Sequence, residues 1–199
     1  LQHLEPLSKF NPEAIEITGG GEPSLHKNIQ EIIETCKSIA PTRIYTDGNL
    51  DPTKGVEICL SRAHHKPETN QQIMGTRYDI EKYDPENLKL SLMLLNSGIN
   101  TKEQLQEYLA WAKQLRVKKV VVRQLALLDH PEYCKVYSQE HCRIDSPAIE
   151  TEFGDFVEFD YDACDLCSDN LVLRTDGNIY PNFDATSPLT EKELEKMIE

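Results

Sequence analysis

Short β-rich runs alternate with amphipathic helical stretches up to about Leu125, and that alternation restricts the chain to few folds. Ala14-Ile15-Glu16-Ile17-Thr18 reads as a strand and ends in three glycines. Ser24 to Ala40 carries Leu25, Ile29, Ile32, Ile33, Cys36 and Ile39, a spacing that lines one face of a helix. Further strands are expected at Arg43 to Thr46, Val56 to Leu60, Leu88 to Leu95 and Lys118 to Val122. A second helix is expected from Thr101 to Leu115, with Thr101 and Gln104 spaced as a capping box. Its apolar stripe is Leu105, Tyr108, Leu109, Ala112 and Leu115. Strand–helix–strand units of this length imply an α/β fold with a parallel sheet. A complete eight-fold barrel needs roughly 200 to 250 residues. The β/α pattern ends near Leu125, so a partial barrel is the expectation.

The composition excludes several classes of function. The chain has 199 residues, enough to bury a real core, and a net charge of −13 from 21 Lys plus Arg against 34 Asp plus Glu. A reader of nucleic-acid backbones needs clustered cations, so nucleic acid is not the expected partner. Anionic membrane surfaces are disfavoured by the same argument. No apolar run reaches the roughly 18 residues of a membrane-spanning helix. The opening LQHLEPLSKF lacks the charged and apolar regions of a signal peptide.

The sharpest local motif is Ile17-Thr18-Gly19-Gly20-Gly21-Glu22-Pro23. Glycines directly after a strand let a ligand approach the backbone. Their N–H groups, with the helix start that follows, suit a carboxylate or phosphate. Glu22 adds a fixed negative charge that suits an amine. A site with both kinds of group fits a zwitterionic amino-acid moiety. The alternative is a plain tight turn between strand and helix.

The run ITGGGEPSLH resembles the GGEP motif of the radical S-adenosylmethionine (radical SAM) superfamily, and other segments follow in that family's order. Tyr45-Thr46-Asp47-Gly48 resembles its third strand end, with Asp where Asn is commoner. Cys59-Leu60-Ser61-Arg62 resembles the fourth, and Leu88 to Asn100, the Thr101 helix and VVVRQL resemble strand five, helix five and strand six. The stretch is similar to the GTP-cyclising enzymes of molybdopterin synthesis and their relatives. The resemblance covers roughly residues 5 to 127. It implies a partial (β/α)6 TIM-like barrel lacking its first strand over residues 1–127. Past it a C-terminal Cys-containing extension is expected over 128–199. There Asn170 to Arg174 and Asn178 to Tyr180 flank Thr175-Asp176-Gly177, a hairpin signal, and a last helix is expected over roughly Thr190 to Ile198.

The same resemblance implies an enzyme. A [4Fe–4S] cluster would cleave SAM to methionine and a 5′-deoxyadenosyl radical, which takes a hydrogen from a small-molecule or peptide substrate. Gly19, Gly20, Gly21, Glu22 and Pro23 would hold the methionine moiety, with Thr46 and Ser61 as secondary SAM contacts. Arg62 or Arg123 would meet the SAM carboxylate or an anionic substrate, a salt bridge at a strand end being the alternative for each. The family's Cys-x3-Cys-x2-Cys cluster loop is not in this sequence. Strand one and that loop are expected to lie before Leu1, which leaves this chain alone inactive.

The six cysteines are Cys36, Cys59, Cys134, Cys142, Cys164 and Cys167. Cys36 and Cys59 read as small core residues. Cys164-x2-Cys167 has the spacing of a metal-ligand or redox pair, and Cys134 and Cys142 would complete a four-Cys site for zinc or an auxiliary cluster. A disulfide or free thiols remain alternatives. Arg174-Thr175-Asp176-Gly177 matches the hairpin that follows such a pair in the relatives, but the returning position near Asn182 is not Cys. Nothing indicates secretion, so a cytoplasmic location is expected. His64 and His65 follow a strand end, where they would be acid–base groups or simply solvated. The second reading of the whole chain is a non-catalytic barrel remnant, a zinc-binding scaffold that holds a protein partner.

Overall fold

The computed structural model describes residues 4–18, 21–125, 131–161, 171–174, 176–181 and 185–197. Six strands, β1 (Ile15–Ile17), β2 (Thr42–Thr46), β3 (Glu57–Ser61), β4 (Leu88–Met93), β5 (Lys119–Arg123) and β6 (Val157–Asp160), form one sheet. Every neighbouring pair is parallel and the strands lie in sequence order. This sequential parallel order agrees with part of an α/β barrel. The connections carry α1 (Ile29–Ile39), α2 (Pro67–Met74), α3 (Lys102–Gln114), α4 (Pro131–Glu140) and α5 (Pro147–Phe153). Beyond the sheet, β7 (Val172–Leu173) and β8 (Ile179–Tyr180) form an antiparallel hairpin, and α6 (Glu191–Lys196) follows.

Strand alternation divides the sheet chemically. Ile44, Ile58, Leu60, Leu90, Leu92, Val120 and Val122 are buried and belong to one core with Ile33 of α1 and Leu105, Tyr108, Leu109 and Ala112 of α3. Helix α3 starts where expected: Thr101 accepts from Gln104 N and the Gln104 side chain returns the bond. The other set of strand positions is mixed, with Tyr45, Cys59, Ser91 and Val121 beside charged residues. Arg43 pairs with Glu16 and Glu57, Lys89 with Glu57 at 2.8 Å, and Lys119 with Glu158 at 2.8 Å. Ion pairs thus cross the sheet where a purely apolar face would demand a second layer of helices.

Two expectations change. Strand β6 extends the β/α pattern past Leu125. Its sequence, Val157-Glu158-Phe159-Asp160, alternates as a strand should, but it lies in an acidic stretch and follows two short helices. The first helix begins at Ile29 rather than Ser24, because Pro23 to Leu25 forms a separate 3₁₀ turn. Leu25 is therefore 83% exposed and lies off the buried stripe.

Candidate functional site

Glu22 and Thr46 meet at the C-terminal ends of β1 and β2, and Glu22 is held there by three donors. It caps the turn Pro23–Leu25, where Pro23 has no N–H to satisfy. Its Oε1 accepts from the Ser24 N–H at 3.1 Å and from the Thr46 hydroxyl at 2.7 Å. Its Oε2 accepts from the Asp47 N–H at 2.7 Å. Burial opposes the carboxylate charge, but the bonds from Asp47, Thr46 and Ser24 outweigh it and hold Glu22 below its ordinary range. Thr46 is buried, and its oxygen accepts in turn from the Gly48 N–H at 3.1 Å. That bond leaves the Thr46 proton for Glu22.

The turn after β2 is fixed from below. Gly48 has φ +107°, a conformation that L side chains rarely adopt, and a Cβ there would lie 2.1 Å from the Tyr78 ring. Its carbonyl accepts from Lys82 Nζ at 2.9 Å and from the Tyr83 hydroxyl at 3.2 Å. Tyr83 also bonds the Leu50 carbonyl at 2.7 Å. The Asp47 carboxyl is pushed up by burial and by the Glu22 charge, against the bonds it accepts from Asn49. Sequence reasoning missed Tyr78, Lys82 and Tyr83. They lie between α2 and β4, with no motif to mark them.

The other candidates are placed differently. Gly19 and Gly20 lie outside the described residues. A Cβ at Gly21 would meet nothing within 4 Å, so that side of the cradle is open. Ser61 ends β3, and its carbonyl accepts from the Tyr78 hydroxyl at 2.9 Å. Arg62 is 4% exposed and has no carboxylate partner among the described residues, so the alternative reading of a salt bridge finds no partner there. Its guanidinium lies 5.3 Å from the Tyr78 ring centre and 5.4 Å from that of Trp111, and donates to the His65 carbonyl at 3.1 Å. Arg123 does pair with a carboxylate, Asp160 on β6, at 3.1 Å.

His64 is buried rather than solvated, stacks on His65 at 4.5 Å, and accepts from the Lys66 N–H. Burial lowers the affinity of both rings for a proton. Cys36 and Cys59 are buried, and burial raises both thiols, Cys59 to about 11. Cys142 also belongs to the core, where its Sγ contacts the Asn100 carbonyl at 3.8 Å. Cys134 is exposed in the first turns of α4, and Cys142 follows the end of that helix. At about 1.5 Å per residue, the helix between them spans roughly 9 Å. Cys164 and Cys167 lie outside the described residues. Among the described residues, no three His, Cys, Asp or Glu side chains gather as a metal would require.

No family model matches the sequence, and no curated protein matches it. Solved structures do match the fold. Streptococcus suis SuiB bound to S-adenosylmethionine superposes with a TM-score of 0.57, covering 80% of this chain and 42% of SuiB at 15% identity. A second SuiB crystal structure gives a TM-score of 0.63, covering 98% of this chain and 59% of SuiB at 11% identity. The chain shares the fold of part of SuiB. It spans between 42% and 59% of SuiB's length, and the likeness is one of architecture. No helix among the described residues is long and apolar enough to cross a membrane.

Proposed function

We propose that this chain is the SAM-binding portion of a radical SAM core, with Glu22 as the anchor for the methionyl ammonium. The observation that carries the reading is the Glu22 carboxylate, ionised and fixed by three donors at the C-terminal end of a parallel sheet. Such a carboxylate is preorganised for a cation, because its own reorganisation is already complete. The open side at Gly21 admits the ligand backbone. The GGEP resemblance and a SAM-bound structure of the same fold support the choice of ligand.

Glu22, Thr46 and the Asp47 N–H offer an amino-acid moiety its partners, while among the described residues no three His, Cys, Asp or Glu side chains gather to hold a metal or cluster. In this reading Glu22 orients the ammonium, Thr46 and the Asp47 N–H hold Glu22, and Ser61 lies at the next strand end for the ribose. Arg123, neutralised by Asp160, is less suited to a ligand carboxylate than its position alone suggested. Calorimetric titration with SAM and with 5′-methylthioadenosine, which lacks the amino-acid moiety, tests the reading. Glu22→Gln is expected to weaken SAM binding roughly ten- to a hundred-fold, the worth of about 1.5–3 kcal/mol for a hydrogen bond to a charged group. Binding of 5′-methylthioadenosine should stay unchanged. Equal SAM affinity in wild type and variant would remove Glu22 from the site.

A further inference from the structure

We propose that Tyr78 is a positioning residue for the Glu22 carboxylate, acting through Gly48. The inference rests on the SAM reading only for its functional meaning; the coupling itself is structural. Tyr78 meets two strand ends at once. Its ring lies against Gly48, so close that only a glycine fits, while its hydroxyl is tied to the Ser61 carbonyl at 2.9 Å. Gly48 carries the restraint onward, since its N–H bonds the Thr46 oxygen that in turn donates to Glu22. The Asp47 N–H, which holds the second Glu22 oxygen, belongs to the same turn.

Arg62 supplies the backing for this wedge. A guanidinium that is 4% exposed and lacks a carboxylate partner among the described residues needs an explanation, because buried charges are ordinarily paired. Here it lies over the Tyr78 ring with Trp111 as a further wall, which is favourable cation–π geometry. Arg62, predicted from sequence to touch ligand, thus acts one layer behind it, by holding the ring that holds the turn.

The test follows the Glu22 carboxyl carbon by NMR titration in wild type, Tyr78→Phe and Tyr78→Ala, beside SAM and 5′-methylthioadenosine affinities. Loosening the turn weakens the bonds that hold Glu22 low, so its midpoint should rise in Tyr78→Ala and rise less in Tyr78→Phe. SAM affinity should fall about fivefold in Tyr78→Ala, with 5′-methylthioadenosine within about twofold. A general loss of structure would weaken both ligands alike. If Tyr78→Ala does not fold, Tyr78→Phe decides. A Glu22 midpoint that stays put in every folded variant overturns the assignment. A midpoint that moves, while SAM binds wild type and Glu22→Gln equally, leaves the Tyr78 coupling standing and removes the ligand reading.

Discussion

At the residue scale, Gly48 shows how little freedom the cradle has. Its positive φ costs an L side chain roughly 1–2 kcal/mol, and an added methyl would sit inside the Tyr78 ring. Gly48→Ala is therefore expected to destabilise the protein by roughly 2–4 kcal/mol, read by denaturant unfolding. A change below about 0.5 kcal/mol would mean that Tyr78 does not press on the turn. The sequence showed the Thr46-Asp47-Gly48 turn and Glu22 clearly, because glycines after a strand and a carboxylate beside them are local signals. It did not show Tyr78, Lys82 or Tyr83, which reach the turn from more than 25 residues away. Arg62 was read as a ligand contact because Arg at a strand end suits an anion. Its buried position between aromatic rings depends on tertiary packing that no local pattern records.

Among the elements, β1 to β5 and α3 were legible in proportion to their periodicity. Helix α3 carries a capping box and a clean apolar stripe, and it appears within a residue of its expected limits. Strand β6 has only four residues and an acidic setting, and it was missed. It is nevertheless integral to the sheet. Val157, with Ile149 and Phe153 of α5, packs into the same core as Leu109 and Val120. A chain ending at residue 127 would bare this surface and the β5 edge, and exposed edges invite association. That fragment is expected to aggregate or unfold at a lower temperature than the chain through residue 161, by size-exclusion chromatography and thermal melting. Equal stability of the two would show that β6 is a passenger on the sheet. Cys142, offered by the sequence as one of four candidate metal ligands, also packs in this core.

In the whole molecule, Arg43, Lys89, Lys118, Lys119 and Arg123 neutralise carboxylates across the sheet. Glu57 is the hub, meeting Arg43, Lys89 and Lys118. Burial disfavours its charge, but the bonds from Lys118, Lys89 and Arg43 bring it down from 4.5 to about 2. A carboxylate depressed in the folded state stabilises it fully above the unfolded value and loses that contribution as protons bind. The Glu57 contribution should therefore fade as pH drops from about 4.5 towards about 2. Glu57→Gln should lower the melting temperature at neutral pH, with the difference from wild type shrinking across that window. A difference that is constant with pH would contradict the network.

A crystal structure of the protein soaked with SAM would locate the ammonium proposed to sit on Glu22. The methionyl nitrogen is expected within hydrogen-bond distance of a Glu22 oxygen, with Thr46 and the Asp47 N–H still holding that carboxylate. SAM bound with its ammonium elsewhere, or no SAM in the cradle at saturating concentration, would contradict it.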